Sequence, residues 1–106
     1  MSLFDLTGRH ALVCGGSAGI GRAAALELAA LGAEVTVLAR DRVKLDLVVP
    51  ELLARGAPAA RAVVADLDDR AGLAVAVDRL LELGPVHVVV NNTGGPPGGP
   101  LLEARE

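Results

Sequence analysis

Apolar positions recur with two periods along the chain, and the two alternate. Arg9 to Cys14 is a short, almost continuous apolar run that stops at Gly15-Gly16, which predicts a strand. From Gly19 to Leu31, the residues Ile20, Ala24, Leu28 and Leu31 recur at three- and four-residue spacings. They predict a helix with these four on one face, ended by Gly32 in the C-cap position. Glu34 to Ala39 is rich in β-branched residues and reads as a second strand. Asp41 to Arg55 reads as a helix, N-capped by Asp41 and closed by Gly56, with Pro50 expected to end a turn or kink it. Arg61 to Ala65 gives a third strand. A third helix starts at Asp68 or Asp69, runs to Leu83 and stops at Gly84-Pro85, and Val86 to Val90 gives a fourth strand. Gly94 to Pro100 reads as a loop, and Leu101 to Glu106 as the opening turn of a further helix.

Strands that are apolar throughout, rather than alternating, are those covered by helices on both faces. Strand–helix alternation at this spacing implies right-handed crossovers between parallel strands. The expected architecture is therefore α/β: half of a doubly wound parallel sheet, with about four strands and three helices, forming one domain over residues 1–106.

Composition narrows the function classes. The chain is 52% hydrophobic and 22% charged, which excludes disorder. A net charge of −3 argues against a nucleic-acid or anionic-membrane partner, and Phe4, the one aromatic residue, cannot build a stacking platform. Cys14 is the single cysteine, so neither an internal disulfide nor a thiolate metal cluster is available. No apolar run reaches the ~20 residues of a membrane span. The first eight residues include Asp5 and lack the long apolar stretch of a signal peptide, so a cytoplasmic protein is expected.

The candidate chemistry sits where the first strand meets the first helix. Gly15, Gly19 and Gly21 are spaced G-x-x-x-G-x-G within Gly15-Gly16-Ser17-Ala18-Gly19-Ile20-Gly21. Gly15 allows a tight turn off the strand, Gly19 removes a side chain where a pyrophosphate approaches, and Gly21 lets the helix pack closely on the sheet. The free N–H groups at a helix N-terminus favour an anion. Following a strand and opening a helix is the context that marks such a turn as dinucleotide-binding.

These residues resemble the N-terminal half of the short-chain dehydrogenase/reductase family. The family's T-G-x-x-x-G-I-G turn appears here as Cys14 to Gly21, and its N-N-A-G signature as Asn91-Asn92-Thr93-Gly94. Phe4 to Arg9 is also similar to the family's opening. Cys14 and Thr93 depart from the usual Thr and Ala. The hydroxyl that ties the first strand to the fourth is expected to have moved to Thr93, against the plainer reading of Cys14 as a small buried filler.

The resemblance implies an incomplete Rossmann-type sheet of strand order 3-2-1-4. It also implies a cofactor site formed by Gly15, Ser17, Ala18, Gly19, Ile20, Gly21, Arg40, Asp66, Leu67, Asn92, Thr93 and Gly94. In NAD-dependent relatives an Asp stands where this chain has Ala39. The guanidinium of the next residue, Arg40, suits a 2′-phosphate, with Ser17 as a further donor and Arg42 a weaker candidate, so NADP(H) is expected over NAD(H). The plainer reading pairs Arg40 with Asp41. Asp66 matches the residue that accepts from the adenine amino group, and Asp68 and Asp69 are free to cap the third helix. Asn91 either holds the central sheet or touches the ligand.

The family's catalytic Ser, Tyr, Lys and Asn would all fall after Glu106. The chain has no Tyr and one Lys, Lys44, so no catalytic residue is carried over. A complete relative transfers hydride between NADP(H) and a carbonyl or alcohol. This chain alone is expected to be inactive. His10 and His87 read as packed structural residues, remote from any cysteine or carboxylate at metal-ligand spacing, so no metal site is expected. An open edge on the fourth strand predicts pairing with a second copy or with a complementary C-terminal segment. Two other readings are a naturally shortened, non-catalytic nucleotide-binding protein and half of a methyltransferase. The last would want an acid after the second strand, where Ala39-Arg40 stand.

Overall fold

Small and β-branched side chains build the centre of the sheet. In a computed structural model that describes residues 5–15, 17–66 and 68–91, the elements run β1 (His10–Cys14), α1 (Gly19–Ala30), β2 (Glu34–Ala39), α2 (Arg42–Arg55), β3 (Ala60–Val64), α3 (Arg70–Glu82) and β4 (Val88–Asn91). All strand pairs are parallel, in the order β3-β2-β1-β4. This is the expected incomplete Rossmann-type arrangement. Each crossover returns the chain to the same end, so Cys14, Ala39, Val64 and Asn91 all finish at one edge of the sheet.

Alternation along the strands sorts the core into two layers. Ala11 and Val13 of β1 and Val35, Val37 and Ala39 of β2 face one side. There they pack with Ala25 and Ala29 of α1 and Leu45, Val48 and Leu52 of α2. Leu12, Cys14 and Leu38 face the other side and meet Leu80 and Leu73 of α3. The second layer is thinner, since Leu80 is the one buried residue of α3. The sheet is therefore covered unevenly. β1 is buried throughout and β2 nearly so, whereas β3 and β4 at the edges are half-buried.

Several boundaries differ from the sequence reading. β1 begins at His10, because Arg9 closes a turn by donating its N–H to the Leu6 carbonyl at 2.9 Å. β3 lies one residue earlier than expected. β4 starts at Val88, where the Ala11↔Val88 pairing begins, and ends on Asn91 opposite Cys14. α1 has Leu31 as its C-cap. Gly32 is the next residue, at φ +93°, and donates to Ala29 while Ala33 donates to Leu28, the paired bonds of a left-handed helix stop.

The inner face of α1 also differs. Gly21, Ala25 and Ala29 are its buried positions, and Ile20 is 76% exposed. A helix lying close on a sheet selects small residues at the contact, so the largest apolar residues do not mark the buried stripe. Pro50 does not end α2, which runs unbroken from Arg42 to Arg55. Pro50 leaves the Asp46 carbonyl without its helical donor, but both residues lie on the exposed side, where water takes that bond.

Candidate functional site

The three helices begin in two different ways. The Asp41 carboxylate caps α2 by accepting the Lys44 N–H at 3.1 Å, and the Asp69 carboxylate caps α3 by accepting the Gly72 N–H at 3.1 Å. α1 begins after Ala18, whose extended backbone offers no side-chain acceptor, and its first turn holds no acidic residue. Among the described residues, no side chain caps the N–H groups of that turn, and none supplies a negative charge to the helix dipole there.

The chain reaches that point through a tight turn. Gly15, at φ +80°, donates its N–H to the Leu38 carbonyl at 2.7 Å, which ties the turn to the end of β2. Gly19 has φ +60°, a left-handed conformation, and a Cβ added there would meet nothing within 4 Å. Among the described residues, the space beside Gly19 is open. Gly21 lies buried against the sheet one residue after exposed Ile20. These features fit a diphosphate: donors without partners, a backbone free of side chains, and room to approach.

Around this turn stand the other candidates. Arg40 follows β2 directly, is exposed, and has no ion-pair partner among the described residues. It does not pair with Asp41, whose carboxylate is used at the Lys44 N–H. Arg42 instead pairs with Asp46 at 3.6 Å, one turn along α2. Ser17 lines a cleft of about 480 Å³ together with Arg22, Lys44, Leu47, Val48 and Glu51. Within it Arg22 and Glu51 form an ion pair between α1 and α2, and the guanidinium holds the Glu51 carboxyl below its ordinary range. Lys44 was not among the sequence candidates. Its place beside Ser17 depends on how α2 lies against α1, which no local motif encodes.

Asp66 lies past the end of β3, at the same edge, and is exposed. It is less free than the sequence suggested. Its Oδ1 accepts the Asp68 N–H at 2.9 Å and its carbonyl accepts the Asp69 N–H at 3.0 Å, so Asp66 shapes the turn into α3. Asn91 ends β4 opposite Cys14 and is exposed. Cys14 is buried, and burial pushes its thiol up from the ordinary range, away from the reactive thiolate. Leu67, Asn92, Thr93 and Gly94 lie outside the described residues.

One further expectation takes a different form. His87 is not packed inside a strand: it is exposed and precedes β4. A groove of about 420 Å³ between β3 and α3, lined by Val63, Val64, Val75 and Leu83 among others, flanks the outer sheet edge away from the glycine turn. Among the described residues, no three His, Cys, Asp or Glu side chains are grouped so as to hold a metal ion, and no helix is long and apolar enough to cross a membrane.

Comparison with known proteins agrees with this geometry. A family profile described as short chain dehydrogenase matches residues 9–106. A short chain dehydrogenase of Pseudocercospora fijiensis is 38% identical over 103 residues, covering 96% of this chain and 33% of that protein. Gluconate 5-dehydrogenase of Gluconobacter oxydans is 39% identical over 103 residues, covering 95% of this chain and 40% of that protein. Among solved structures, an RhlG/NADP active-site complex from Pseudomonas aeruginosa superposes with a TM-score of 0.75 at 40% identity, over 89% of this chain and 38% of that one. The chain thus spans well under half the length of these relatives.

Proposed function

The chain belongs to the short-chain dehydrogenase family, and from that premise we propose that it is the cofactor-binding half of an NADP(H)-dependent oxidoreductase. The observation that carries the reading is the uncapped start of α1 behind an open glycine turn, in a chain whose other two helices are capped by Asp. The first-turn N–H groups after Ala18 would hold the diphosphate, with Gly15 and Gly19 keeping side chains out of its way. Ile20 would lose its exposure against the ligand. Ser17 and Arg40 would meet the 2′-phosphate, where an acid would repel it. Asp66 has one carboxylate oxygen left to accept from the adenine; Leu67 would add a backbone contact, and Asn92, Thr93 and Gly94 would serve the ribose and nicotinamide.

When bound, a nicotinamide dinucleotide gives up or takes a hydride at its ring. The residues of this chain would bind and orient that group. In a complete relative the partner of the hydride would be a carbonyl or an alcohol. The outer edge of β4, unpaired among the described residues, is where this reading seats a further strand, from a second copy or from a complementary C-terminal segment.

Titration with NADPH, followed by nicotinamide fluorescence, tests the site. The unaltered chain should bind saturably. Gly19→Asp should weaken binding about tenfold or more, a change of about 1.4 kcal/mol. Asp tolerates the left-handed backbone better than most residues, and its carboxylate would stand where the diphosphate sits. Absence of saturable binding, or equal binding by the variant, would contradict the assignment.

A further inference from the structure

The chain contains two histidines, and the fold brings them together at the end of the sheet opposite the glycine turn. His10 opens β1 and is buried, at 6% exposure. Its ring Nε2 lies 2.7 Å from Oγ1 of Thr36, which is fully buried on β2. Its backbone carbonyl accepts the His87 N–H at 2.8 Å. Its backbone N–H donates to Nδ1 of the His87 ring at 2.9 Å. The last bond is unusual in kind. The ladder proper starts one residue later, at Ala11↔Val88, so a side chain stands in for a strand carbonyl.

The bond to the His87 ring fixes its protonation state. His87 Nδ1 accepts only while it carries no proton, which puts the proton of the neutral ring on Nε2. On His10, Nε2 and the Thr36 hydroxyl share one hydrogen bond, and the ring's tautomer decides which of the two donates. In the neutral state no buried side-chain polar atom among the described residues is left without a partner. A proton on His87 removes the acceptor from the part-buried His10 N–H, which leaves that donor without its partner. A proton on His10 places a charge on a ring that the fold buries, and burial opposes it.

We propose that His10 and His87 form a pH-sensitive clasp that fastens β4 to β1 when both rings are neutral and releases it when they take up protons. The charged groups facing His10 are Glu34 on β2, Arg61 on β3 and His87 before β4. Glu34 and Arg61 are paired with each other, so their opposite effects on the His10 ring largely cancel. Burial is the leading influence on the His10 ring and holds it below the ordinary imidazole range. A lowered folded-state value means stability is present above the unfolded value near pH 6.5 and is lost as pH falls through the folded value. No other side chain has an ordinary range within pH 5 to 8, and burial moves Cys14 further out of it. The clasp does not rest on the dinucleotide reading, since it lies at the other end of the strands.

Thermal unfolding of the whole chain at pH 7.5 and pH 5.5, at constant ionic strength, tests this. The melting temperature should fall by about 4–8 °C over that interval, the shift expected when roughly one buried hydrogen bond is lost from a domain of this size. His87→Asp keeps an acceptor that stays ionised at both pH values, so the fall should be at least halved. A second readout needs no variant: in NMR spectra recorded from pH 7.5 to pH 5.5, the His10 backbone amide should shift together with the amides of β4. An unchanged melting temperature in the unaltered chain would overturn the clasp. So would an undiminished fall in His87→Asp, or a His10 amide that stays still over that interval.

Discussion

Two alanines and an arginine decide most of what the site end of the sheet can do. Ala18 stands where the other two described helices carry a capping Asp, and it offers the first-turn donors of α1 no side-chain acceptor. Ala39 leaves the end of β2 without a carboxylate, and Arg40 follows it exposed and without an ion pair among the described residues. Arg40→Ala should therefore weaken NADPH binding by about 1.5–3 kcal/mol, the usual worth of a charge-assisted bond, and leave NADH binding nearly unchanged. Parallel calorimetric titrations of the variant with the two cofactors check this, and equal losses for both would mean that Arg40 is not the phosphate contact. The glycine turn was legible from residue spacing alone, because left-handed backbone leaves glycines at fixed places. The role of His87 was not, because a side chain that replaces a ladder carbonyl has no sequence pattern of its own.

At the scale of elements, the strands were legible because burial on both faces leaves a run of apolar residues that nothing else in the chain imitates. Strand limits shifted by one or two residues where turns and pairing, rather than composition, set them. The inner face of α1 was misread because spacing of large apolar residues points to Ile20, whereas close packing on the sheet selects Gly21, Ala25 and Ala29. α2 shows the more familiar case, with Leu45, Val48 and Leu52 buried at three- and four-residue spacings. Leu52 is fully buried in the larger layer, so Leu52→Ala should cost about 2–5 kcal/mol. Asp69→Ala removes a cap from an exposed helix start and should cost about 1 kcal/mol. Chemical denaturation of the two variants against the unaltered chain measures both; a smaller loss for Leu52→Ala than for Asp69→Ala would contradict the layering described above.

For the molecule as a whole, the four strands carry their C-terminal ends to one edge, and the candidate residues of three separate connections meet there. That convergence follows from parallel crossovers and was legible from the alternation of strands and helices. The lie of α2 against α1, which sets Lys44 beside Ser17, was not, because it depends on contacts between segments distant in sequence. His10 and His87 lie at the opposite ends of β1 and β4 from the glycine turn. The measurement that bears most directly on the account is a pair of calorimetric titrations of the unaltered chain, one with NADPH and one with NADH, at pH 7.5 and one ionic strength. Both should bind saturably, NADPH tighter by about tenfold or more, a difference of about 1.4 kcal/mol. Equal affinities, or no binding of either, would contradict it.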